Sequence, residues 1–146
     1  MKIIIRETQI TDTVDICNLM NCDLGLGLSV SPDTLVLQIS KMKAHENYIV
    51  NVAVYDNQIV GFIAAYKSMI LEMPNEYMRI IGLSVARQYR RKGIGRRLMQ
   101  SVVQYANEND IAYIALNTLP HVIDDHAFFE ANGFMRKSVC YSKALK

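Results

Sequence analysis

Apolar positions in the N-terminal third of the chain first form a short run of isoleucines and then recur at near-helical spacing. The isoleucine run predicts a first strand, after which Thr11 or Asp12 is a typical N-cap for a helix. Ser31-Pro32 opens a second helix, because proline is favoured in a first turn. These elements are a strand at Lys2–Thr8, a helix carrying Val14, Ile16, Leu19 and Met20, a glycine-broken loop at Asn21–Ser31, and a helix to about His45.

The remainder of the chain predicts a hairpin followed by alternating strands and helices. Two β-rich runs flank Asp56-Asn57, a dipeptide typical of a tight antiparallel turn. A polar stretch at Glu72–Asn75 separates this hairpin from the next strand, and Gly133 ends the last helix. The predicted strands are Tyr48–Tyr55, Gln58–Tyr66, Met78–Val85, Ile111–Leu116 and Val139–Leu145, and the predicted helices are Ile94–Asn107 and Asp124–Asn132.

The order of these elements, β-α-α-β-β-β-α-β-α-β, predicts an α+β fold. We expect a mixed, mostly antiparallel sheet with helices on its faces. The chain of 146 residues has no repeat, low-complexity tract or linker, so residues 1–146 are expected to form one domain.

Overall composition excludes several classes of protein. No apolar run reaches the roughly 18–20 residues of a membrane span, and the charged start of the chain does not resemble a secretory leader. The three cysteines are odd in number and lack Cys-x-x-Cys spacing. A disulfide framework or a zinc site is therefore not expected, and neither a metal nor a membrane is predicted as a partner. A reducing cytoplasm fits best.

The positive charge of the chain is concentrated in one short segment. The whole chain carries net +2, but the rest without this segment has ten basic and fourteen acidic residues, a net charge of −4. Such local charge favours a local anionic ligand over a nucleic-acid surface. The segment contains no acid and six basic residues: Arg87, Arg90, Arg91, Lys92, Arg96 and Arg97.

This basic segment joins a predicted strand to a predicted helix, a geometry suited to phosphate. Free backbone N–H groups and the positive end of the helix dipole meet at the helix start. Gly93 and Gly95 allow an anion to approach the backbone closely. The P-loop and the dinucleotide-binding glycine pattern are both missing. The alternative is a purely structural turn with arginines for solubility, but six cations at a helix N-terminus are unfavourable without an anion.

Two segments resemble the GNAT superfamily of N-acetyltransferases. Arg90-Arg91-Lys92-Gly93-Ile94-Gly95 resembles the [Q/R]-x-x-G-x-[G/A] core of its acetyl-CoA signature. Residues 126–134, His-Ala-Phe-Phe-Glu-Ala-Asn-Gly-Phe, resemble the family's A-H-x-F-Y-x-x-x-G-F segment. The predicted order of elements also agrees with that fold.

The resemblance implies that the co-substrate is acetyl-CoA and assigns its contacts. Backbone N–H groups of the turn would bind the pyrophosphate, and the strand before it would splay from its neighbour and pair with the pantetheine arm. The Val85 N–H would stabilise the thioester oxygen. The implied contacts are Leu83, Ser84, Val85, Arg90, Arg91, Lys92, Gly93, Ile94, Gly95, Arg96, Asn117, Phe128 and Phe129.

The catalytic residues are less well defined by the resemblance. Phe129 stands where relatives often have a tyrosine acid, and the strand Met78–Val85 lacks the carboxylate that many members use. A general base must still take a proton from the ammonium group. The candidates are Glu76, His126 and Tyr141, with Glu72 and His121 as further options.

The acceptor is expected to be a small-molecule amine or a protein N-terminus. Its pocket would form from the loop Asn21–Ser31, the second helix and the segment Tyr66–Tyr77, since loops on a rigid scaffold commonly set specificity. Two alternatives remain: a coenzyme A-binding module without turnover, and a nucleic-acid binder, which the remaining net charge of −4 disfavours. Dimers are common in the family, so a homodimer stays open.

Overall fold

The computed structural model describes residues 1–23, 30–118 and 123–146 of the chain. Its helices and strands follow the predicted order up to the last helix. The strands are β1 (Ile4–Glu7), β2 (Tyr48–Tyr55), β3 (Gln58–Ile70), β4 (Met73–Val85) and β5 (Ile114–Ala115); the helices are α1 (Thr13–Asp23), α2 (Pro32–Ala44), α3 (Ile94–Glu108) and α4 (Ile123–Ala131). Short 3-10 helices lie at Ile10–Asp12 and Arg87–Tyr89.

The strands form one five-stranded sheet in the order β1-β2-β3-β4-β5. Neighbours are antiparallel except β4 and β5, which run parallel. The mixed, mostly antiparallel sheet flanked by helices is therefore confirmed. Two compact units can be distinguished, residues 1–115 and residues 116–146, and each is described by itself.

The two faces of the sheet in the first unit are covered by different helices. One face, the α3 face, carries Gly61, where an added Cβ would lie 3.2 Å from Leu98 of α3. On this face Asn51 also donates a hydrogen bond to Ser101 of α3 at 3.0 Å. The opposite face, the α1/α2 face, carries Val52 and Phe62, which pack in one cluster with Ile16, Cys17, Leu19, Leu35 and Ile39. Alternation along each strand assigns every other side chain to one of these faces.

Local signals in the sequence explain why these elements begin and turn where they do. Asp56 and Asn57 have φ values of 51° and 60°, the left-handed backbone that a two-residue hairpin turn requires. The Ser31 hydroxyl caps α2 by accepting from the Thr34 N–H at 3.2 Å, as predicted. The hairpin and the start of the second helix are thus confirmed.

The first helix begins differently from the prediction. Neither Thr11 nor Asp12 is the N-cap, because both lie within the 3-10 helix that precedes α1, and Gln9 takes the cap position. The Asp12 carboxylate closes this turn by accepting from the Gln9 N–H at 2.8 Å. Asp12 therefore lies three residues after the N-cap, although its residue type predicts the N-cap itself.

Two strand predictions were wrong. The polar stretch Glu72–Asn75 was expected to separate β3 from β4, yet Ile70 pairs with Met73 and the two strands form one long hairpin. A hairpin arm with solvent on both sides tolerates polar residues, so polarity did not mark its end. The final strand predicted at Val139–Leu145 has no strand hydrogen bonding in the described residues. Strand-forming side chains give only a weak preference, and a strand also needs a partner edge.

No helix in the described part of the chain is long and apolar enough to cross a membrane.

The Arg6–Asp12 ion pair fixes the start of α1 on the edge of the sheet. Two guanidinium nitrogens of Arg6 donate to the two carboxylate oxygens of Asp12 at 2.7 and 2.9 Å, and the Asp12 side chain is only 8% exposed. The hydrogen bonds from Arg6 outweigh the effect of burial and lower the pKa of Asp12.

We predict that Asp12→Asn lowers the free energy of unfolding at pH 7 by about 2 kcal/mol, because Arg6 loses a buried anionic partner. A lowered folded-state pKa contributes stability that is complete above the unfolded value of about 3.9 and is lost as the pH falls through the folded value. Urea unfolding of both proteins should therefore show a constant difference from pH 5 to 8 that shrinks below about pH 4. Asp33→Asn in the exposed first turn of α2 is the control, and an equal loss in both variants would contradict this role.

Candidate active site

The outer edge of β4 is the first component of the candidate site. Ala86 N–H donates to Val60 of β3 at 2.8 Å, so alternation also directs the backbone groups of Ser84 towards β3. Leu83 and Val85 consequently direct their N–H and C=O groups to the opposite edge. β5 pairs with β4 only at Met78 and Arg79, and β4 continues to Val85. The β4–β5 ladder thus ends at Arg79 and Ala115, and the splaying expected from the family resemblance stays a prediction.

A β-bulge lies where β4 and β5 part. Ala64 pairs with Gly82 and Ala65 pairs with Ile80, so Ile81 is an extra residue in β4. Its side chain is 46% exposed although it lies in a strand. Bulges bend a strand and re-aim its groups, and they occur often beside active sites. This feature cannot be read from the sequence, because β-propensity along residues 78–85 is continuous and contains no sign of an extra residue.

The turn after β4 places the start of α3 close to this edge. The chain passes through a 3-10 helix at Arg87–Tyr89, then adopts left-handed backbone at Arg91 (φ 62°) and at Gly93 (φ 82°). α3 begins at Ile94 with Gly93 as its N-cap, and neither a side-chain cap nor an acid in the first turn is present there. The first N–H groups of α3 therefore have no capping side chain, the arrangement that binds phosphate oxygens.

The six cations of the turn have different surroundings. Arg90 Nε donates to the Val85 carbonyl at 2.9 Å, which ties the turn back to the end of β4. Arg97 donates to the Ile3 carbonyl at 2.6 Å and so attaches α3 to the N-terminal segment. Arg91, Lys92 and Arg96 are exposed around the helix start. The Ile94 side chain is 1% exposed and packs in the core, so only its backbone could reach a ligand.

The predicted base Glu76 lies on the α3 face of β4, because Met78, two residues later on the same side of the strand, pairs with Lys67 on that face of β3. Its carboxylate is 4.0 Å from Lys67 Nζ, and its carbonyl accepts from the Ala112 N–H at 2.9 Å. Glu72 is exposed at the tip of the β3–β4 hairpin, and His121 lies outside the described residues. A catalytic role for Glu76 stays a prediction.

The second unit contains the other predicted site residues. His126 on α4 accepts at Nδ1 from Arg136 at 3.1 Å, so its other ring nitrogen carries the hydrogen when the ring is neutral. Asn117 donates to the Cys140 sulfur at 3.0 Å, and the following Tyr141 is 93% exposed. These contacts bring Asn117 to the segment before Tyr141 and connect His126 to a cation, and the assigned roles of all three remain predictions.

Phe128 and Phe129 form part of an aromatic cluster on α4. Their ring centroids are 5.4 Å apart in an edge-to-face arrangement, and Phe129 is 5.9 Å from Phe134. The Phe134 N–H donates to the Phe129 carbonyl at 3.0 Å, which folds the chain back at Gly133 (φ 89°). This packing gives both rings a structural role in their own unit. Their contact with the cofactor stays a prediction.

In the described residues, an α+β fold is thus combined with outward groups of β4 that lead to a helix N-terminus without a side-chain cap. A model of the acetyltransferase (GNAT) family matches residues 13–134, and the chain belongs to this family.

Solved structures share this fold over nearly the whole chain. A transcriptional regulator from Bacillus halodurans superposes with a TM-score of 0.90 at 22% identity, covering 99% of this chain and 100% of the other. A GNAT family acetyltransferase from Staphylococcus aureus has a TM-score of 0.80 at 25% identity, with 99% and 100% covered. Glucosamine-6-phosphate N-acetyltransferase from Arabidopsis thaliana has a TM-score of 0.85 at 16% identity, with both chains fully covered at 100%.

We predict that Gly93→Ala lowers the free energy of unfolding by about 1 kcal/mol. An added Cβ would meet nothing within 4 Å, so the cost comes from left-handed backbone at φ +82° rather than from a clash. Gly93→Asn should cost less, because asparagine tolerates this conformation. Urea unfolding of the three proteins measures the difference. Equal stability of all three would mean that the start of α3 can relax and that Gly93 does not fix it.

Proposed function

We propose that this chain transfers the acetyl group of acetyl-CoA to a primary amine by direct attack in a ternary complex. The observation that carries the proposal is the outward edge of β4 at Leu83 and Val85, which leads directly to the uncapped N-terminus of α3. An extended amide chain can add to such an edge as a strand would. A pyrophosphate can accept from the helix N–H groups beyond it.

Each part of the turn has a role in this proposal. Backbone N–H groups of Gly93, Ile94, Gly95 and Arg96 would bind the pyrophosphate, and the side chains of Arg91 and Lys92 would add charge around it. The Arg90 side chain already bonds the Val85 carbonyl and would position this corner. Ser84 faces β3 through its backbone, so the pantetheine arm would bond to its two neighbours instead.

The chemistry requires no covalent intermediate on the protein. A neutral amine attacks the thioester carbonyl carbon, its nitrogen forms the new C–N bond, and the C–S bond breaks to release the coenzyme A thiolate. The nitrogen loses a proton to a base, and the thiolate gains one. An outward backbone N–H of β4 directed at the carbonyl oxygen would stabilise the developing charge by about 3 kcal/mol.

The proton-transfer groups belong to the same proposal as candidates. Glu76 offers a carboxylate next to Lys67, while His126 and Tyr141 are the candidates in the second unit. Asn117, Phe128 and Phe129 are retained as proposed coenzyme contacts. Phe129 has no ionisable proton, so a group other than residue 129, or water, must protonate the thiolate.

A coenzyme A-binding protein without turnover is the second candidate function. It is favoured by Phe129 and by the absence of a carboxylate from Met78 to Val85. A thiol-release assay with acetyl-CoA and a broad panel of amines distinguishes the two functions. Release with any amine establishes transfer, whereas calorimetric binding of acetyl-CoA with no release across the panel favours the silent module.

We predict that Gly95→Val weakens acetyl-CoA binding at least a hundredfold, because a branched side chain would block the approach of phosphate to the helix N–H groups. Isothermal titration calorimetry gives the affinity, and circular dichroism should show an unchanged fold. Val103→Ala on the exposed side of α3 is the matched control and should bind normally. Unchanged affinity of Gly95→Val would mean that the turn is structural, and tight salt-dependent DNA binding would favour a nucleic-acid binder.

A further inference from the structure

Tyrosines form a row on the α1/α2 face of the sheet, beyond the core cluster around Phe62. Tyr48, on β2, pairs in register with Tyr66 on β3, and their ring centroids are 5.8 Å apart. Tyr66 in turn shares a side-chain hydrogen bond with Tyr77 of β4. The Tyr77 ring lies 5.5 Å from that of Tyr113, next to β5. The row therefore crosses four neighbouring segments of the sheet.

Arg79 lies within this row and at the point where β4 leaves β5. It pairs in register with Tyr66 on one side and with Ala115 on the other, and it is the last β4 residue that β5 contacts in the ladder. The bulge at Ile81 and the outward edge at Leu83 follow within the same strand. If the coenzyme arm follows that edge, its thioester end approaches the bulge, and Arg79 lies beside the place where an acceptor amine must arrive.

The charge around the tyrosine row favours an anion. Beyond the core cluster, the β2, β3 and β4 positions of this face around the row are Tyr48, Val50, Ala64, Tyr66, Ser68, Tyr77 and Arg79, which include one cation and no acid. Arg6 of β1 lies on the same face and is paired with Asp12. The pKa of Tyr66 is raised mainly by burial and by the hydrogen bond with Tyr77, while the charge of Arg79, its register partner on β4, acts in the opposite direction. A guanidinium has five N–H donors, so Arg79 can hold an anion while it keeps its contacts with the protein.

We propose that the acceptor is an amine that also carries a carboxylate or phosphate, and that Arg79 binds this anionic group beside the tyrosine row. The inference rests on the proposed acetyl transfer, whose acceptor it specifies. Bidentate bonding by arginine suits either anion, and the tyrosine rings supply a rigid wall for the rest of the molecule. A polycationic acceptor is disfavoured, because its charges would meet a cation on this face.

The first experiment compares matched acceptors in the thiol-release assay. One pair is an amino acid and its carboxamide, a second pair is an amino-sugar phosphate and the unphosphorylated amino sugar, and a polyamine serves as the cationic member. We expect kcat/KM to be about ten- to a hundredfold higher for the anionic member of one pair, the size of effect that a charged hydrogen bond gives. The pair that shows the effect identifies the anion.

Arg79→Ala should then raise the KM of the preferred acceptor and abolish the discrimination within the pair, with kcat changed much less. Arg79→Lys should restore part of the discrimination within the pair, because lysine returns the positive charge without the bidentate geometry of arginine. Lys2→Ala, at an exposed position before β1, is the control and should keep the full discrimination. Acetyl-CoA affinity should be the same in all of these variants, and circular dichroism checks their fold.

Two results would overturn the inference. One is a wild-type protein that uses neutral or polycationic amines as well as anionic ones; the other is discrimination that survives in Arg79→Ala. Calorimetry with the anionic amine on coenzyme A-saturated protein tests the site without turnover. Binding that depends on Arg79 supports the site even if no acetyl transfer occurs, a result that would contradict only the proposed reaction. Absence of such binding overturns the site even if transfer to other amines is observed.

Discussion

The end of the β4–β5 ladder at Arg79 is the constraint on which the candidate site depends. Backbone N–H and C=O groups must find partners, and a strand that continues beyond its neighbour's ladder directs such groups to one side. Leu83 and Val85 do so while Ser84 bonds towards β3. The turn then adds the uncapped start of α3. The proposed donor site is therefore made mainly of backbone groups, and its geometry follows from the path of the chain.

This dependence on backbone explains what could be predicted from the sequence. Gly93, Gly95 and six clustered cations predict a helix N-terminus suited to an anion, and Asp56-Asn57 predicts a tight hairpin. Both signals are local, so a single sequence contains them. The bulge at Ile81 is defined by how β3 and β4 pair, so the sequence of neither strand alone predicts it.

The errors have the same origin. The arm of the β3–β4 hairpin includes polar residues because solvent reaches both of its sides, so polarity does not mark the end of this strand. Val139–Leu145 has strand-forming residues, yet propensity does not supply a pairing edge. The residue type of Asp12 predicts a cap, whereas its bonds to Arg6 and Gln9 depend on how β1 and the first helical turn meet.

Donor and acceptor recognition also differ in how they are encoded. The proposed donor site needs glycine, a helix start and positive charge, and a short motif can hold all three. The proposed recognition of an acceptor uses side chains from β2, β3 and β4 that are distant in sequence, since Tyr48, Tyr66 and Arg79 become neighbours only through strand register. The motif thus indicates which molecule gives the acetyl group, while the register of three strands determines which side chains can contact the molecule that receives it.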